Sequence, residues 1–194
     1  SLMSSYCLYI INFYPEATAS LERFINQYPA NKNIAYANYL ITIILYEQIL
    51  DEKKDIKPLL KSKEKIILFL NNFPDTEYAL DLKFKLNLVN TQLAAKELYV
   101  AKFYIVKQKW IPAINRLKTI VNDYSETVFI EEALHRLVEV YYRVGLIEEA
   151  NAAATILGYN YNTSEWYEQS YRVLNKNYKV AQKVVQKKKN GLIK

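Results

Sequence analysis

A helix ending that recurs four times constrains the fold of this chain more than any other feature of its sequence. In each copy an aromatic residue is followed by a residue that favours a turn. The four pairs are Tyr28-Pro29, Phe73-Pro74, Tyr124-Ser125 and Tyr161-Asn162. Proline lacks the N–H that the next helical hydrogen bond needs, and it disfavours helical geometry in the residue before it. Each pair is therefore expected to end one helix of a repeated helical unit.

Small residues recur at one fixed distance before each of these turns. Counting back 12 residues from the turn-former reaches Ala17, Ser62, Ala113 and Ala150. Four residues further along the chain stand Leu21, Ile66, Leu117 and Ala154. Small side chains let two helices approach closely, and residues four apart share one face of a helix. We therefore expect these residues to be buried where helices cross.

Three of the four turns are followed by a signal for the start of another helix. A hydroxyl residue lies two positions after the turn-former, as Thr76, Thr127 and Ser164. Its oxygen can accept a hydrogen bond from the open N–H groups of a helix start, so we expect all three to cap the next helix. The units lie 45, 51 and 37 residues apart, which exceeds the ~34 residues of a tetratricopeptide repeat and indicates lengthened helices or inserted linkers.

The chain has few residues for special turns, with 3 Gly and 5 Pro among 194 residues. A β-sandwich or barrel needs many such turns. We therefore predict an all-α fold of tetratricopeptide-like helix-turn-helix repeats that form a right-handed superhelix. The expected helices cover about residues 2–12, 16–27, 33–50, 59–72, 77–107, 110–123, 128–143, 147–157 and 164–188.

The expected domain organisation is one helical-repeat domain and a basic tail. Residues 1–170 would form about four helix pairs, with one long helix at 77–107 and a charged connection at 51–58. Residues 171–194 would form a basic C-terminal helix or tail. No run of 18 apolar residues occurs, so we expect no membrane-spanning helix.

Charge is unevenly spread along the chain. There are 26 Lys and Arg against 20 Asp and Glu, a formal charge of +6. No acid follows Glu168, and the last 25 residues carry eight of the basic residues, which leaves residues 1–169 at −2. A basic end can attract nucleic acid or anionic lipid, yet lysine-rich C-termini are more often solvated, and we adopt that interpretation. The body of the protein is not expected to bind nucleic acid.

Residue types suited to catalysis or metal binding are scarce. One cysteine, Cys7, excludes an internal disulfide, and one histidine, His135, excludes a two-histidine metal site. No glycine-rich phosphate loop or His-Glu-x-x-His pair occurs. His135 is expected on a polar helix surface without a role. The sequence therefore predicts a protein that is not an enzyme, with no cofactor and no metal.

Tyrosine is unusually frequent, with 18 copies. Those at the helix ends, Tyr28, Tyr124 and Tyr161, are expected to pack in the core. A second group could line a peptide-binding surface, since a phenol offers apolar area and one hydroxyl. Its members are Tyr39, Tyr99, Tyr104 and Tyr142.

The stretch from Leu93 to Ser164 carries a series of motifs in a specific order. A Leu-Ala-x-x-Glu-x-x-Val-Ala-x-x-Tyr run is formed by Leu93, Ala94, Glu97, Val100, Ala101 and Tyr104. It is followed by Trp110, Ala113, Arg116, the turn Tyr124-Ser125-Glu126-Thr127, and Glu132-Ala133-Leu134. In this order and spacing the chain resembles the BamD family, the tetratricopeptide-repeat lipoproteins of the outer-membrane β-barrel assembly machinery.

The likeness continues upstream and covers about residues 3–170. It includes Leu21-Glu22-Arg23-Phe24-Ile25, Tyr28-Pro29, the acidic pair Asp51 and Asp55, and the stretch from Phe73 to Ala79. The chain departs from the family at Ser125 and Asn162, where a turn proline is usual. The family's signal peptide, acylated cysteine and first repeat have no counterpart here. We therefore expect the natural chain to begin upstream, and Cys7 is not expected to be the lipidated residue.

The resemblance implies a scaffold without a cofactor at the periplasmic face of the outer membrane. Its partners would be the barrel-forming insertase, through the periplasmic domain nearest the barrel, other lipoproteins of the complex, and unfolded barrel precursors. It would meet the membrane only through a lipid anchor that is absent from this chain. Arg116 matches the family's insertase-contacting arginine, and a guanidinium bonds a carboxylate in a geometry that lysine cannot reproduce. Arg23 and Tyr104 match positions on the face offered to precursors. Without the resemblance, Arg116 is a solvated helix residue.

A second function class stays open at this point. The chain could be a tetratricopeptide adaptor that gathers short peptides and has no link to barrel assembly. An adaptor for carboxylate-ended peptides would place several Lys or Arg on the inner helices of adjacent repeats. Here the body carries mixed charge and the basic excess lies in the tail, which favours the scaffold.

Overall fold

The computed structural model describes residues 2–48 and 56–175. These residues form nine α-helices and no strand, so the all-α fold class of helical repeats is confirmed. The helices are α1 (Leu2–Ile10), α2 (Tyr14–Gln27), α3 (Ile34–Glu47), α4 (Lys57–Asn72), α5 (Glu77–Val106), α6 (Trp110–Asp123), α7 (Ile130–Val144), α8 (Ile147–Asn160) and α9 (Glu165–Leu174).

Most helix bounds lie within three residues of those expected. The long central helix is confirmed as α5, which has 30 residues. Helices α2 and α4 begin two residues earlier than expected, because Pro15 and Pro58 stand in the first turn, where no N–H is needed. Helix α9 ends at Leu174, because Asn175 has an extended backbone, and the expected continuation to 188 falls outside the described residues. Residues 176–194 and most of the charged connection, including Asp51 and Asp55, lie outside the described residues.

Contacts between helices divide the chain into two compact units, Ser1–Ala133 and Leu134–Lys194. In the first unit each helix from α1 to α6 packs against the next, and α3 also contacts α5. In the second unit α8 packs against α9. The expected organisation into a domain at 1–170 and a tail at 171–194 stays a prediction.

The recurring aromatic residue ends a helix in the same way in all four units. Its φ is −132°, −136°, −136° and −137° at Tyr28, Phe73, Tyr124 and Tyr161. In each case the aromatic N–H donates to the carbonyl four residues before, and the aromatic carbonyl accepts an N–H from the residue three ahead. The repeat alignment that the sequence predicts is therefore present in the backbone geometry.

The expected capping is confirmed at one of three positions. Ser164 Oγ accepts the N–H of Trp166 at 3.2 Å, as a cap should. The hydroxyls of Thr76 and Thr127 instead donate back to the carbonyls of Phe73 and Tyr124, at 2.9 and 2.8 Å. A carbonyl has two lone pairs, so the aromatic carbonyl accepts the backbone N–H and the hydroxyl of the same residue. Both threonines therefore stabilise the turn and not the helix start.

A second recurring turn, which was not predicted from the sequence, joins the helices of three pairs. A residue with positive φ follows α1, α5 and α7: Asn12 (62°), Gln108 (55°) and Gly145 (85°). The next residue donates its N–H to a carbonyl five residues before, always at 2.9 Å. This is the Schellman ending of a helix, which favours glycine. Only one of the three positions is glycine, so the motif gives a weak sequence signal.

The small residues are buried as expected. Ala17, Ala113 and Ala150 have no exposed surface, and neither does Ser62 at the equivalent place in α4. The four residues that follow them by one turn are also buried: Leu21, Ile66, Leu117 and Ala154. The Ser62 hydroxyl differs from its alanine equivalents because Oγ is buried and makes no hydrogen bond within the described residues. A buried polar group without a partner destabilises the folded state.

We predict that Ser62→Ala raises the free energy of unfolding by about 1 kcal/mol, because it removes an unpaired hydroxyl and leaves the packing unchanged. Ser5→Ala is the matched control. Ser5 is equally buried, but its hydroxyl donates to Ser20 Oγ at 2.8 Å, so its replacement should lower stability. Denaturant unfolding of both variants measures the difference, and a loss of stability in Ser62→Ala would contradict the assignment.

Candidate partner-binding site

Arg116 is held by an acidic residue of the neighbouring helix. It lies on α6, and its Nη1 donates to both carboxylate oxygens of Glu97 on α5, each at 3.1 Å. The Glu97 side chain is only 9% exposed, whereas that of Arg116 is 47% exposed. The structure thus gives Arg116 an internal partner, Glu97, whose pairing was not predicted although Glu97 belongs to the motif between Leu93 and Tyr104.

Tyr124 lies near this ion pair and is itself contacted by a lysine of α4. Lys63 on α4 places its Nζ 4.6 Å from the ring centre of Tyr124, at the end of α6. Burial raises the pKa of the Tyr124 phenol, and the charges of Asp123 and Glu97 raise it further. Tyr124 therefore lies near the Glu97 carboxylate, which is mostly buried and is paired with the Arg116 guanidinium.

Tyr104 lies on the same face of α5 as Glu97. The residues Glu97, Val100 and Tyr104 follow each other at spacings of three and four, which places them on one helix face. The Tyr104 side chain is half-buried, and its ring meets the edge of Phe103 at 5.8 Å. The structure therefore brings two of the three candidate residues, Tyr104 and Arg116, to one side of the α5–α6 hairpin.

Arg23 belongs to a different surface of the first unit. It is exposed on α2, where its Nε donates to the Ala19 carbonyl at 3.3 Å. It lines a cleft of about 590 Å³ between α1 and α2. The other residues of this cleft are Leu2, Ser4, Ser20, Phe24, Gln27 and Tyr28. Within the described residues no hydrogen bond joins Arg23 to Tyr104 or Arg116.

The tyrosines divide differently from expectation. Tyr28 is exposed, so its expected core position is wrong, whereas Tyr124 is buried. The helix-end turn uses the backbone carbonyl of the aromatic residue, so its ring does not have to be buried. Tyr39 stacks on Tyr78 at 4.7 Å and donates its hydroxyl to Asp81 at 2.8 Å, so its polar atom is already bound within the protein. Tyr99 is 63% exposed on α5.

The expected surface position of His135 is wrong. The ring is 3% exposed and lies 5.2 Å from the ring of Trp166, within the second unit. Its Nδ1 lies 2.9 Å from Ser170 Oγ, whose hydroxyl donates to the Trp166 carbonyl. The serine oxygen therefore accepts from Nδ1–H. Trp166 and Ser170 lie four residues apart on one face of α9, and both contact His135. This spacing is the sequence signal that could have indicated that α9 buries His135.

Three further features bear on function: the cysteine, possible metal ligands and possible membrane-spanning helices. Cys7 is exposed on α1. Across residues 2–48 and 56–175, no three His, Cys, Asp or Glu side chains gather closely enough to hold a metal ion. Within the same ranges, none of the helices combines the length and apolar character needed to cross a bilayer.

The ionisable carboxyl of Asp81 on α5 accepts a hydrogen bond from the Tyr39 hydroxyl on α3 and so links the two helices. Burial alone would raise the pKa of Asp81, but hydrogen bonds from Lys85 Nζ and the Tyr39 hydroxyl and the Lys85 charge outweigh it and hold this pKa below its ordinary value. A lowered carboxyl pKa contributes stability that is complete above the unfolded-state pKa of about 3.9 and is lost as pH falls through the folded-state value.

We therefore predict that Asp81→Asn lowers the free energy of unfolding at neutral pH, and that the difference from the parent protein shrinks as pH falls below about 3.9 and through the lowered folded-state pKa of Asp81. Urea unfolding across this pH range measures it. Tyr39→Phe is the matched control, since it removes one donor to Asp81 and keeps the ring stacked on Tyr78. A pH-independent effect of Asp81→Asn would show that ionisation of Asp81 does not stabilise the fold.

Comparisons with known proteins identify relatives across most of the chain. The family model YfiO, described as an outer membrane lipoprotein, matches residues 1–156. The chain is 42% identical over 177 residues to the outer membrane protein assembly factor BamD of Rickettsia prowazekii, an alignment that covers 91% of this chain and 70% of the relative. For the factor of the same name from Caulobacter vibrioides the identity is 39% over 176 residues, covering 91% of this chain and 58% of the relative.

A more distant relative matches a slightly shorter part of the chain. The BamD protein of Pasteurella multocida is 26% identical over 168 residues, which cover 80% of this chain and 64% of that protein. The chain thus spans less than two thirds of the Caulobacter and Pasteurella relatives.

Proposed function

Because the chain belongs to the BamD family of outer membrane protein assembly factors, we propose that it takes part in outer membrane protein assembly as a scaffold without enzymatic activity. We place it at the periplasmic face of the outer membrane. We propose as its partners the barrel-forming insertase, other lipoproteins of the same complex, and unfolded barrel precursors. The resemblance of the quoted motifs and the geometry of the α5–α6 hairpin support this proposal.

The observation that carries the insertase contact is the presentation of Arg116. Glu97 engages only Nη1, and within the described residues Nε and Nη2 make no hydrogen bond. These two nitrogens form one edge of the guanidinium, which can bond a carboxylate through two parallel N–H groups. Nearly half of the side chain is exposed. A carboxylate of the insertase's periplasmic domain can therefore bind this edge while Glu97 holds the opposite nitrogen.

Tyr104 and Arg23 are proposed to receive precursors. Tyr104 shares a helix face with Glu97, two turns further along α5, and offers a half-buried ring there. Arg23 lines the α1–α2 cleft with the rings of Phe24 and Tyr28, whose centres lie 5.6 Å apart. An unfolded chain exposes aromatic side chains and backbone carbonyls, which such a cleft can contact through its rings and its guanidinium.

We predict that Arg116 contributes directly to insertase binding, but a simple Arg116→Ala change would also leave the buried Glu97 carboxylate without its cation. The comparison is therefore made between Glu97→Gln alone and the double variant Glu97→Gln with Arg116→Gln. Both lack the internal ion pair, and only the double variant lacks the guanidinium. Calorimetry with the insertase's last periplasmic domain should show binding at least about tenfold weaker in the double variant, since losing a buried charge partner at an interface costs about 2–5 kcal/mol.

Two further variants strengthen this test. Arg116→Lys keeps the charge but loses the parallel donor edge, so its affinity should fall between the two. A charge swap, Arg116→Glu with a partner carboxylate changed to arginine, should recover part of the binding. If Glu97→Gln and the double variant, both well folded by circular dichroism, bind with equal affinity, then Arg116 serves only to pair with Glu97 and does not contact the insertase.

A further inference from the structure

The tip of the α5–α6 hairpin exposes large apolar side chains on both sides of its turn. Val106 is the last residue of α5 and Ile111 the second of α6, and they are 78% and 74% exposed. Phe103 and Tyr99, which precede Val106 on α5, are also more than half exposed. Contiguous apolar surface of this kind on a folded protein marks a site of contact with a protein or a membrane.

The same segment is strongly basic. Residues 98–122 contain five Lys and Arg and no Asp or Glu. Two acids from outside the segment contact it: Glu132 bonds Lys102 at 2.6 Å, and Glu97 bonds Arg116 at 3.1 Å. Lys107 and Lys109 remain exposed in the turn itself, between Val106 and Ile111. The apolar tip is therefore flanked by cations within a body whose net charge is negative.

The apolar residues lie on a different face of α5 from the proposed insertase contact. Tyr99, Phe103 and Val106 follow each other at spacings of four and three and share one helix face. Glu97 precedes Tyr99 by two residues, which places it about 200° away around the helix. A ligand on the apolar face therefore leaves the Arg116 edge accessible, and the two contacts can form together.

We propose that the α5–α6 tip docks on an anionic phospholipid surface, with Val106, Ile111 and Phe103 entering the interface and Lys107 and Lys109 contacting lipid phosphates. Three features favour lipid over protein as the occupant. Two lysines stand in one tight turn between Val106 and Ile111, which lets the lysine stems lie along apolar surface while their ammonium groups reach the head groups. The segment has no acid of its own to repel lipid phosphates. The family is described as an outer membrane lipoprotein, so a bilayer is available to the chain.

The test measures partition of the full chain onto sedimenting vesicles of phosphatidylglycerol and of phosphatidylcholine. Val106→Ser/Ile111→Ser and Lys107→Glu/Lys109→Glu are expected each to weaken binding to phosphatidylglycerol at least tenfold. The parent should bind phosphatidylcholine weakly, and added salt should reduce its binding to phosphatidylglycerol. The basic segment after Glu168 contributes equally to every variant, so the comparison isolates the tip.

Matched controls use residues elsewhere in the first unit. Leu80→Ser/Val128→Ser removes two apolar side chains that are 74% and 79% exposed. Lys61→Glu/Lys65→Glu reverses two exposed lysines on α4. Both controls should bind phosphatidylglycerol within twofold of the parent. If the controls and the tip variants lose vesicle binding equally, the binding depends on net charge or on apolar surface in general, and the proposal is wrong.

A probe at the tip tests insertion directly. In a Cys7→Ser background, an environment-sensitive fluorophore on Val106→Cys should shift to the blue with phosphatidylglycerol vesicles, and one on Val128→Cys should not. Unchanged emission at position 106 would contradict insertion.

If Val106→Ser/Ile111→Ser binds vesicles normally but no longer binds the insertase domain, the tip is a protein-docking face and the proposal is wrong. The insertase test with Glu97→Gln and its double variant is separate, so either proposal can fail alone.

Discussion

The helix-end turn is the constraint on which the repeats depend. At Tyr28, Phe73, Tyr124 and Tyr161 the backbone leaves the helix with nearly the same φ, and the aromatic carbonyl accepts an N–H from the residue three ahead. The four helices are therefore ended by the same backbone turn. A small buried residue 12 positions before each turn-former lets helices approach closely. Ser62 occupies this position with a buried, unpaired hydroxyl, so the position requires a small side chain more strictly than an apolar one.

The α5–α6 hairpin is where this architecture meets the proposed function. Its turn closes through the bond from Lys109 N–H to the Tyr104 carbonyl at 2.9 Å. One face carries the ion pair of Glu97 and Arg116, in which a buried carboxylate fixes a half-exposed guanidinium. The other side of α5 carries the exposed apolar residues that lead to the turn. A rigid helical scaffold can thus present two chemically different surfaces, one for a carboxylate and one for an anionic lipid surface.

Sequence patterns predicted what depends on local chemistry and failed where tertiary contacts decide. Burial of Ala113 and the uninterrupted helix at 77–107 followed from repeat spacing and from the absence of Gly and Pro. His135 was misplaced because only its contact with α9 buries it, and that contact has no local signature. Gln108 adopts positive φ without being glycine, so its turn could not be recognised from residue type. Glu97 was visible in a motif, yet its pairing with Arg116 depends on how α5 and α6 pack.

Photo-crosslinking in cells that depend on this chain tests most directly whether the Arg116 face meets the insertase. A benzoylphenylalanine at Thr119, one turn after Arg116 on the same face of α6, should form an adduct with the insertase. The same probe at Leu80, which is exposed on α5, should not. Adducts from position 80 and none from position 119 would contradict the account and move the insertase contact away from the hairpin.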